Sequence, residues 1–563
     1  MSKALKISIK ALICSALSFL LYYVFLPPVN LRTRQFWLFL IAVLLIFGIP
    51  FGIIDLSALD NLDPKARKRK EKRLGKEAVK PVFKKNAVTV IYISAVGIMI
   101  AVVLLGTLFS SVVFNAKAYS EIINVEDREF ADDMPTTDEV KNIALMDTDS
   151  AKMLGNRKLG ALANVVSQFC VNESYTQINF NSSPKKVAPL EYDGFFKWLN
   201  NRKDGIPGYI MVDAIENYAE YCETDGGMVY SESAYFSEDL RRALRFAYPT
   251  KIFGNISFEV DEDGDPYYVV SCENPKVGLF GAQDIVEVIL FNPIDGSHEL
   301  MALEDVPKWI DIVFDGDLAC QKYDWKGIYS GGFFNSLIGN KGCKQTTDDF
   351  GYIMLDDDVW YFTGVTSVTA SDASNIGFII SNARTGEYKF YSVIGAEEHS
   401  AMGAAEGEVQ EKEYVASFPS LINVAGQPSY IMVLKDAHGL VKLYALVNVQ
   451  QYNMVATGET QADAIRAYIK TLAQNGIDVS GSYDSATYEK IVISDIKYLT
   501  VSGSTTVYIT ADNGNVYKMD FNSKNEAIIL KKVGDVVYVN ATETDIAGLY
   551  SVTSFSTTNA TED

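Results

Sequence analysis

Three stretches near the N-terminus, Ala11–Val29, Phe36–Ile54 and Ala87–Phe114, are each at least 19 residues long and contain no Asp, Glu, Lys or Arg. About 20 apolar residues span a bilayer as a helix. A chain with three such runs is expected to build a three-helix membrane domain over residues 1–114. A cleaved secretory signal is the rival reading of the first run, since Lys3, Lys6 and Lys10 precede it. No small-residue cleavage pattern follows, and the chain leads straight into the second run, so a retained helix is expected.

Charge supplies the expected orientation. The segment DPKARKRKEKRLGKEAVKPVFKK carries 11 Lys/Arg from Lys65 to Lys85, whereas the loop between the first two runs has only Arg32 and Arg34. Positive loops stay in the cytoplasm, which places the N-terminus and a basic loop, 57–86, inside the plasma membrane and residues 115–563 outside. Near an inner leaflet each basic residue contributes about 1 kcal/mol, so anionic lipid is the expected partner of that loop. Residues 1–114 hold 16 of the 50 Lys/Arg and 5 of the 71 Asp/Glu, a net +11 that leaves −32 for the remainder. An exterior this acidic disfavours nucleic acid and suits solubility or a cationic partner.

The exterior repeats itself. EVILFNPIDGSHELMALEDV begins at Glu287 and GFIISNARTGEYKFYSVIGA at Gly377, placing Asn292 over Asn382 and Gly296 over Gly386. Asn and Gly tolerate the positive φ of a tight turn, so the echo reads as architecture. GYIMVD at Gly208, GYIMLD at Gly351 and SYIMVL at Ser429 extend it. Each unit runs apolar strand, tight turn, aromatic-rich strand, loop, and a third strand ending at Asn292, Asn382 or Asn448. These are antiparallel meanders, and the segments between them have helical periodicity. The fold class expected is therefore α+β, with repeated helix-plus-meander modules. A stalk and first module should occupy 115–235, where Asp149 or Ser150 is placed to cap a helix and Phe195, Phe196 and Leu199 recur at helical spacing. The repeated modules should occupy 236–456. In the connecting segment 457–490, Thr460 and Asp463 open a helix that Gly476 stops. Short strands around DNGN then predict a small OB- or SH3-like barrel over 491–555, before a disordered tail, 556–563.

No catalytic constellation stands out, and no catalytic, cofactor-binding or metal-binding residue is assigned. The three histidines, His298, His399 and His438, form no known motif, and His298 aligns with Tyr388. Ser330 beside two glycines has no assignable base. Asp261, Asp263 and Asp265 alternate but lack the glycine and glutamate of a calcium loop, so a solvated turn is expected. Of the exterior cysteines, Cys222–Cys272 or Cys320–Cys343 could pair, although buried free thiols are the simpler account. The apolar runs hold no ionisable residue at depth, which argues against transport. Gly48 and Gly52 are spaced for helix packing and leave a homo-oligomer open.

The segment GEVQEKEYVASFPSLINVAGQPSYIMVLKDAHGLVKLYALVN, residues 407–448, resembles the helix–hairpin–strand wording of PepSY-type extracytoplasmic modules. The likeness covers about 40 residues at a time across 240–456. The whole chain resembles large multi-span membrane proteins of Gram-positive bacteria. Such modules are associated with binding or restraining partner proteins, often peptidases. The resemblance implies a membrane-anchored scaffold or regulatory protein whose partner is another envelope or cell-surface protein. A surface hydrolase using clustered carboxylates, or a signal transducer dependent on a partner, are the alternatives.

Overall fold

The structure, a computed structural model, describes residues 3–51, 87–134, 145–215, 217–347, 349–369, 374–477, 489–501, 504–521, 525–544 and 548–557, with single positions 53, 72 and 479. The basic loop at 57–86 (position 72 apart), the 135–144 part of the stalk and the tail beyond 557 lie outside the described residues. The chain divides into two compact units, Met1–Asn475 and Gly476–Asp563.

Three apolar helices open the first unit: α1, Lys3–Phe25; α2, Arg34–Gly48; and α3, Ala87–Phe109. Only α1 and α3 are long and apolar enough to cross a membrane among the described residues. The expectation of three spans is overturned, because α2 has 15 residues, a rise of about 22 Å against a hydrocarbon core of about 30 Å. Pro50 is the cause. It has no N–H for the carbonyl of Ile46, so the helix stops. That carbonyl instead accepts the Cys14 thiol of α1 at 3.4 Å. Lys10 Nζ donates to the Pro50 carbonyl at 2.7 Å, so α2 lies back along α1. α1 itself ends before Pro27, with Leu26 at φ 46°. α3 ends at Phe109, and a short helix α4, Val112–Ser120, follows.

Among the described residues, four larger sheets and a two-stranded ribbon, Ser374–Asn375 with Gly395–Ala396, make up the rest of the unit. The first orders Phe169–Val171, Ser183–Tyr192, Ile206–Asp213 and Tyr218–Met228, with Thr176–Phe180 also on Ser183–Tyr192. The second is a four-strand meander, Ile252–Val260, Pro266–Val277, Gly281–Phe291 and His298–Ala302. The third centres on Asp358–Ser367 and Gly377–Asn382, and gains Glu126–Arg128 as a parallel edge beside Tyr388–Tyr391. The fourth centres on Gln427–Lys435 and Val441–Asn448. A helix precedes each larger sheet: α5, Thr148–Gly160; α7, Leu240–Ala247; α8, Gly316–Tyr329; and α9, Glu398–Glu408, while a short α6, Phe195–Asn201, interrupts the first. The first and second sheets share one core through Val187, Ile210, Phe258 and Ile289. The third and fourth share another through Phe362, Phe378, Tyr430 and Val447. A last helix, α10, Gln461–Gln474, is capped by Thr460, whose side chain accepts from the Asp463 N–H, and is followed by Gly476 at φ 81°.

The same turn closes a strand in every larger sheet. The side chains of Asp213, Asn292, Asn382 and Asn448 each accept the N–H two residues on. Gly296 and Gly386 follow at φ 76° and 72°. A Cβ at Gly386 would lie 2.9 Å from the Phe314 ring. Gly386→Ala is therefore expected to cost about 1–3 kcal/mol in thermal unfolding. Gly403→Ala, on α9 with open space at its Cβ, is expected to be neutral or to stabilise by up to about 1 kcal/mol. Equal effects at the two sites would refute the backbone argument.

The second unit is a closed five-stranded barrel in the order Glu489–Val501, Ser504–Ala511, Val516–Asp520, Leu549–Ser556 and Val536–Glu543. The last pairs back onto the first, and the pairing of Val516–Asp520 with Leu549–Ser556 is parallel. This order is that of an OB barrel. Its core includes Val507, Tyr517 and Val539, with Ile528 on a short 3-10 turn, Glu526–Leu530.

Candidate functional site

The hairpin NFNSSPKKVAPLEY places a lysine where none is expected. Asn181 and Ser182 turn the chain with φ 52° and 56°, a geometry that suits a two-residue hairpin. In the strand that follows, Lys185 pairs with Asp213. Lys186 faces the other way, in phase with Ala188 and Leu190, and is 1 % exposed. Its Nζ sits 4.8 Å from the centre of the Tyr352 ring. Among the described residues no carboxylate lies within ion-pair range of it. Burial pushes its ammonium down to about 8, and the charge of Asp147 offsets part of that shift. The comparison with Lys322 is instructive. That lysine is also buried, but it holds Asp284 at 2.6 Å. Lys186 is buried without a bonded carboxylate and has only the more distant charge of Asp147.

Lys186 lines a cleft of about 400 Å³ where the first, third and fourth sheets meet. Phe350 and Tyr352 form one wall, Met402 and His399 of α9 another, and Phe418 and Ser420 a third. Glu398 fixes α9 in place: its buried carboxylate accepts the Gly364 N–H at 2.6 Å and the Thr347 hydroxyl at 3.1 Å. The next residue, His399, has its ring 6.4 Å from that of Phe418. The N-terminus of α5 closes the cleft. Its cap is Asp147, which accepts the Ser150 N–H at 2.9 Å, not Asp149 or Ser150 as the sequence suggests. Burial raises the Asp147 carboxyl, but bonds from Lys435 and Ser150 outweigh it and leave the group below its ordinary range. Asp149 is exposed beside Lys152 at 3.8 Å.

The cleft can therefore take an extended ligand that brings an anionic or carbonyl oxygen to Lys186 and apolar groups to the aromatic walls. Nothing in it forms a metal centre: among the described residues no three His, Cys, Asp or Glu side chains converge. Of the features singled out in the sequence, His399 and Asp149 line the cleft, and the others lie elsewhere. His298 Nδ1 bonds the Tyr248 hydroxyl at 2.8 Å, and its ring stacks on Phe291. Asp261 accepts the N–H groups of Asp263 and Asp265 and so shapes its own hairpin turn. Ser330 ends α8 on the surface. All six cysteines are free thiols, including the pairs Cys222–Cys272 and Cys320–Cys343.

The most perturbed carboxylates are sealed between modules. Glu259 is fully buried and accepts the Asp311 N–H at 2.7 Å, the Ile312 N–H at 3.1 Å and the Ser257 hydroxyl at 2.9 Å. Asp311 accepts the Asn179 N–H at 2.6 Å. Burial pushes Glu259 up to about 7, and burial together with the charge of Glu259 pushes Asp311 well above its ordinary value. Through Asn179, whose Nδ2 also donates to the Asp357 carbonyl at 2.7 Å, the pair links the first and second sheets to a hairpin turn of the third.

No family model matches the chain, and no curated protein matches it. Among solved structures the chain is similar to a GH43 β-1,3-galactosidase, at 10% identity and a TM-score of 0.15, over 66% of this chain and 57% of that one. A likeness at that score carries no argument about fold or activity.

Proposed function

We propose that this chain is a membrane-anchored binding protein of the cell envelope, whose body holds a segment of another envelope protein in the Lys186 cleft. The two long apolar helices supply the anchor. The basic residues from Lys65 to Lys85 suit contact with anionic lipid at the membrane surface. The observation that carries the reading is the buried, unpaired ammonium in an open cleft. Such a group costs free energy unless an anion meets it, and a carboxylate on the bound segment would do so. Hydrolysis is less well supported. Of the three carboxylates that line the cleft, Asp147 is held by Lys435, Asp149 lies exposed beside Lys152 and Asp349 accepts the Phe350 N–H, and the raised pair Glu259 and Asp311 is buried away from it.

Lys186→Met tests the proposal with two opposite effects. Without its partner the variant is expected to be more stable than the parent by about 1–3 kcal/mol, because an apolar side chain of similar length replaces an unpaired charge. The same change is expected to weaken capture of the partner at least about tenfold. Capture is read by a photo-crosslinking amino acid placed at Phe418 in whole cells. A crosslinked protein whose yield ignores Lys186, or recovery of the chain alone, would sink the reading.

A further inference from the structure

The body carries two apolar lips, one beside the end of α1 and the other near the segment that follows α3. The first begins on α1. Phe246 of α7 packs against Tyr22 and Tyr23 with ring centres 5.9 and 6.2 Å apart, and Arg242 lies 4.3 Å over the Tyr23 ring. Arg245 Nε donates to the Leu26 carbonyl at 3.0 Å, tying α7 to the end of α1. Tyr23 shares a cleft with Tyr235 and Phe236. Phe236 and Tyr235 in turn pack on Phe195, and Phe196 beyond them is 75% exposed. In α6 only Trp198 is buried, while Phe195, Phe196 and Leu199 face outward.

The second lip follows α8. Val112 at the start of α4 clusters with Trp325 and Tyr329, whereas the Ile123 carbonyl beyond its end accepts Lys326 Nζ, and Ile123 packs near Ala319 and Tyr323. α8 is thus antiparallel to α4 and ends beside the α3 terminus. There the chain presents Phe334, Leu337 and Ile338, exposed by 75%, 64% and 79%. The ends of the helices are rigidly joined to the body: Ser110 Oγ accepts the N–H groups of Leu279 and Phe280 at 2.8 and 3.0 Å.

Between the lips, Arg32, Arg34 and Arg245 line a cleft of about 410 Å³ with one carboxylate, Glu273. Arg32 is held by the Asn274 side chain at 3.0 Å and by the Pro275 carbonyl. Among the described residues none of the three arginines has a carboxylate within ion-pair range.

We infer that the body lies on the membrane surface, with Phe196, Phe236 and Phe246 and likewise Phe334, Leu337 and Ile338 set among the lipid chains, and Arg32 and Arg34 at phosphate level. This rests on the membrane-anchored reading above. The lips continue the exposed apolar surfaces of α1 and α3, such as Phe25 and Phe109, so the occupant is the lipid that covers those helices. Aromatic rings and arginines at the boundary are the ordinary furniture of a membrane interface.

The test uses the full chain in lipid nanodiscs with Cys170→Ser and Cys222→Ser. Single spin labels are attached through Phe196→Cys, Phe334→Cys or Ile338→Cys, and collisions with oxygen and with a water-soluble nickel chelate are compared. Ile98→Cys on α3 and Tyr452→Cys on the body serve as references. The three lip labels are expected to resemble Ile98, with an oxygen-to-nickel ratio about tenfold above Tyr452. If Ile98 reports lipid while the lips report nickel access, or are shielded from both reagents by protein, the lips are not membrane-seated and the anchor stands. If Ile98 itself reports water, the anchor reading fails and takes this inference with it.

Discussion

Glu259→Ala is expected to cost about 3–5 kcal/mol, enough to unfold the junction of the first three sheets, because it strands three buried donors at once. The Asp311 and Ile312 N–H groups and the Ser257 hydroxyl all end on this carboxylate, and each orphan costs about 1–3 kcal/mol. Glu259→Gln keeps the shape and an acceptor and is expected to be far milder. The contrast extends to pH. Burial pushes Glu259 up to about 7 from an ordinary value near 4.5, so between those values the folded chain binds more protons than the unfolded one. Stability is then fully present below about pH 4.5 and is lost as pH rises through about 7. Asp311, raised by burial and by Glu259, acts in the same direction. Thermal unfolding of the detergent-solubilised chain between pH 5 and pH 8 should show a falling midpoint, and Glu259→Gln should flatten it. A profile that the variant leaves untouched would remove the pair as its source.

Tyr430→Ala should be the other severe variant, at about 3–5 kcal/mol, with Tyr430→Phe near 1–2 kcal/mol. The ring is fully buried in the fourth sheet and meets Phe378 of the third edge-on, at 5.8 Å. Its hydroxyl donates to the Ala396 carbonyl at 3.1 Å and accepts from Asn375 at 3.3 Å. Truncation opens a cavity between two modules, whereas the phenylalanine removes only the hydroxyl. Chemical unfolding followed by tryptophan fluorescence separates the two. Similar losses for both would mean that the hydroxyl network, rather than the packing, joins the sheets.

The residues that could be read in advance act locally. Thr460, Asp463 and Gly476 bound a helix by bonds that span a few positions, and Asn292 with Gly296, or Asn382 with Gly386, makes a turn whose geometry is complete within six residues. Alternating Val, Ile and Tyr likewise gave strands, since side chains of a strand must point to opposite faces. Misreadings began where a partner was remote. Phe36–Ile54 is apolar throughout, yet Pro50 ends α2 at Gly48, and the carbonyl it frees is taken by Cys14, 32 positions away. Asp149 and Ser150 were as eligible as Asp147 to cap α5, and Lys435 from the fourth sheet is what anchors the cap chosen. The clue to Lys186 was present as a lysine in phase with Ala188 and Leu190, but the phase does not say whether a carboxylate waits opposite.

By itself, then, the order of residues determined the long apolar helices, the strands, the recurrent Asn/Gly turn and the helix caps, because each depends on neighbours along the chain and on backbone sterics. Tertiary structure alone decided which lysine stays unpaired in a cleft, which carboxylates are sealed together and which aromatic rings remain outside. Those outcomes depend on desolvation and on partners from other sheets, and the free energy of a buried charge or an uncovered ring is set by what surrounds it in space.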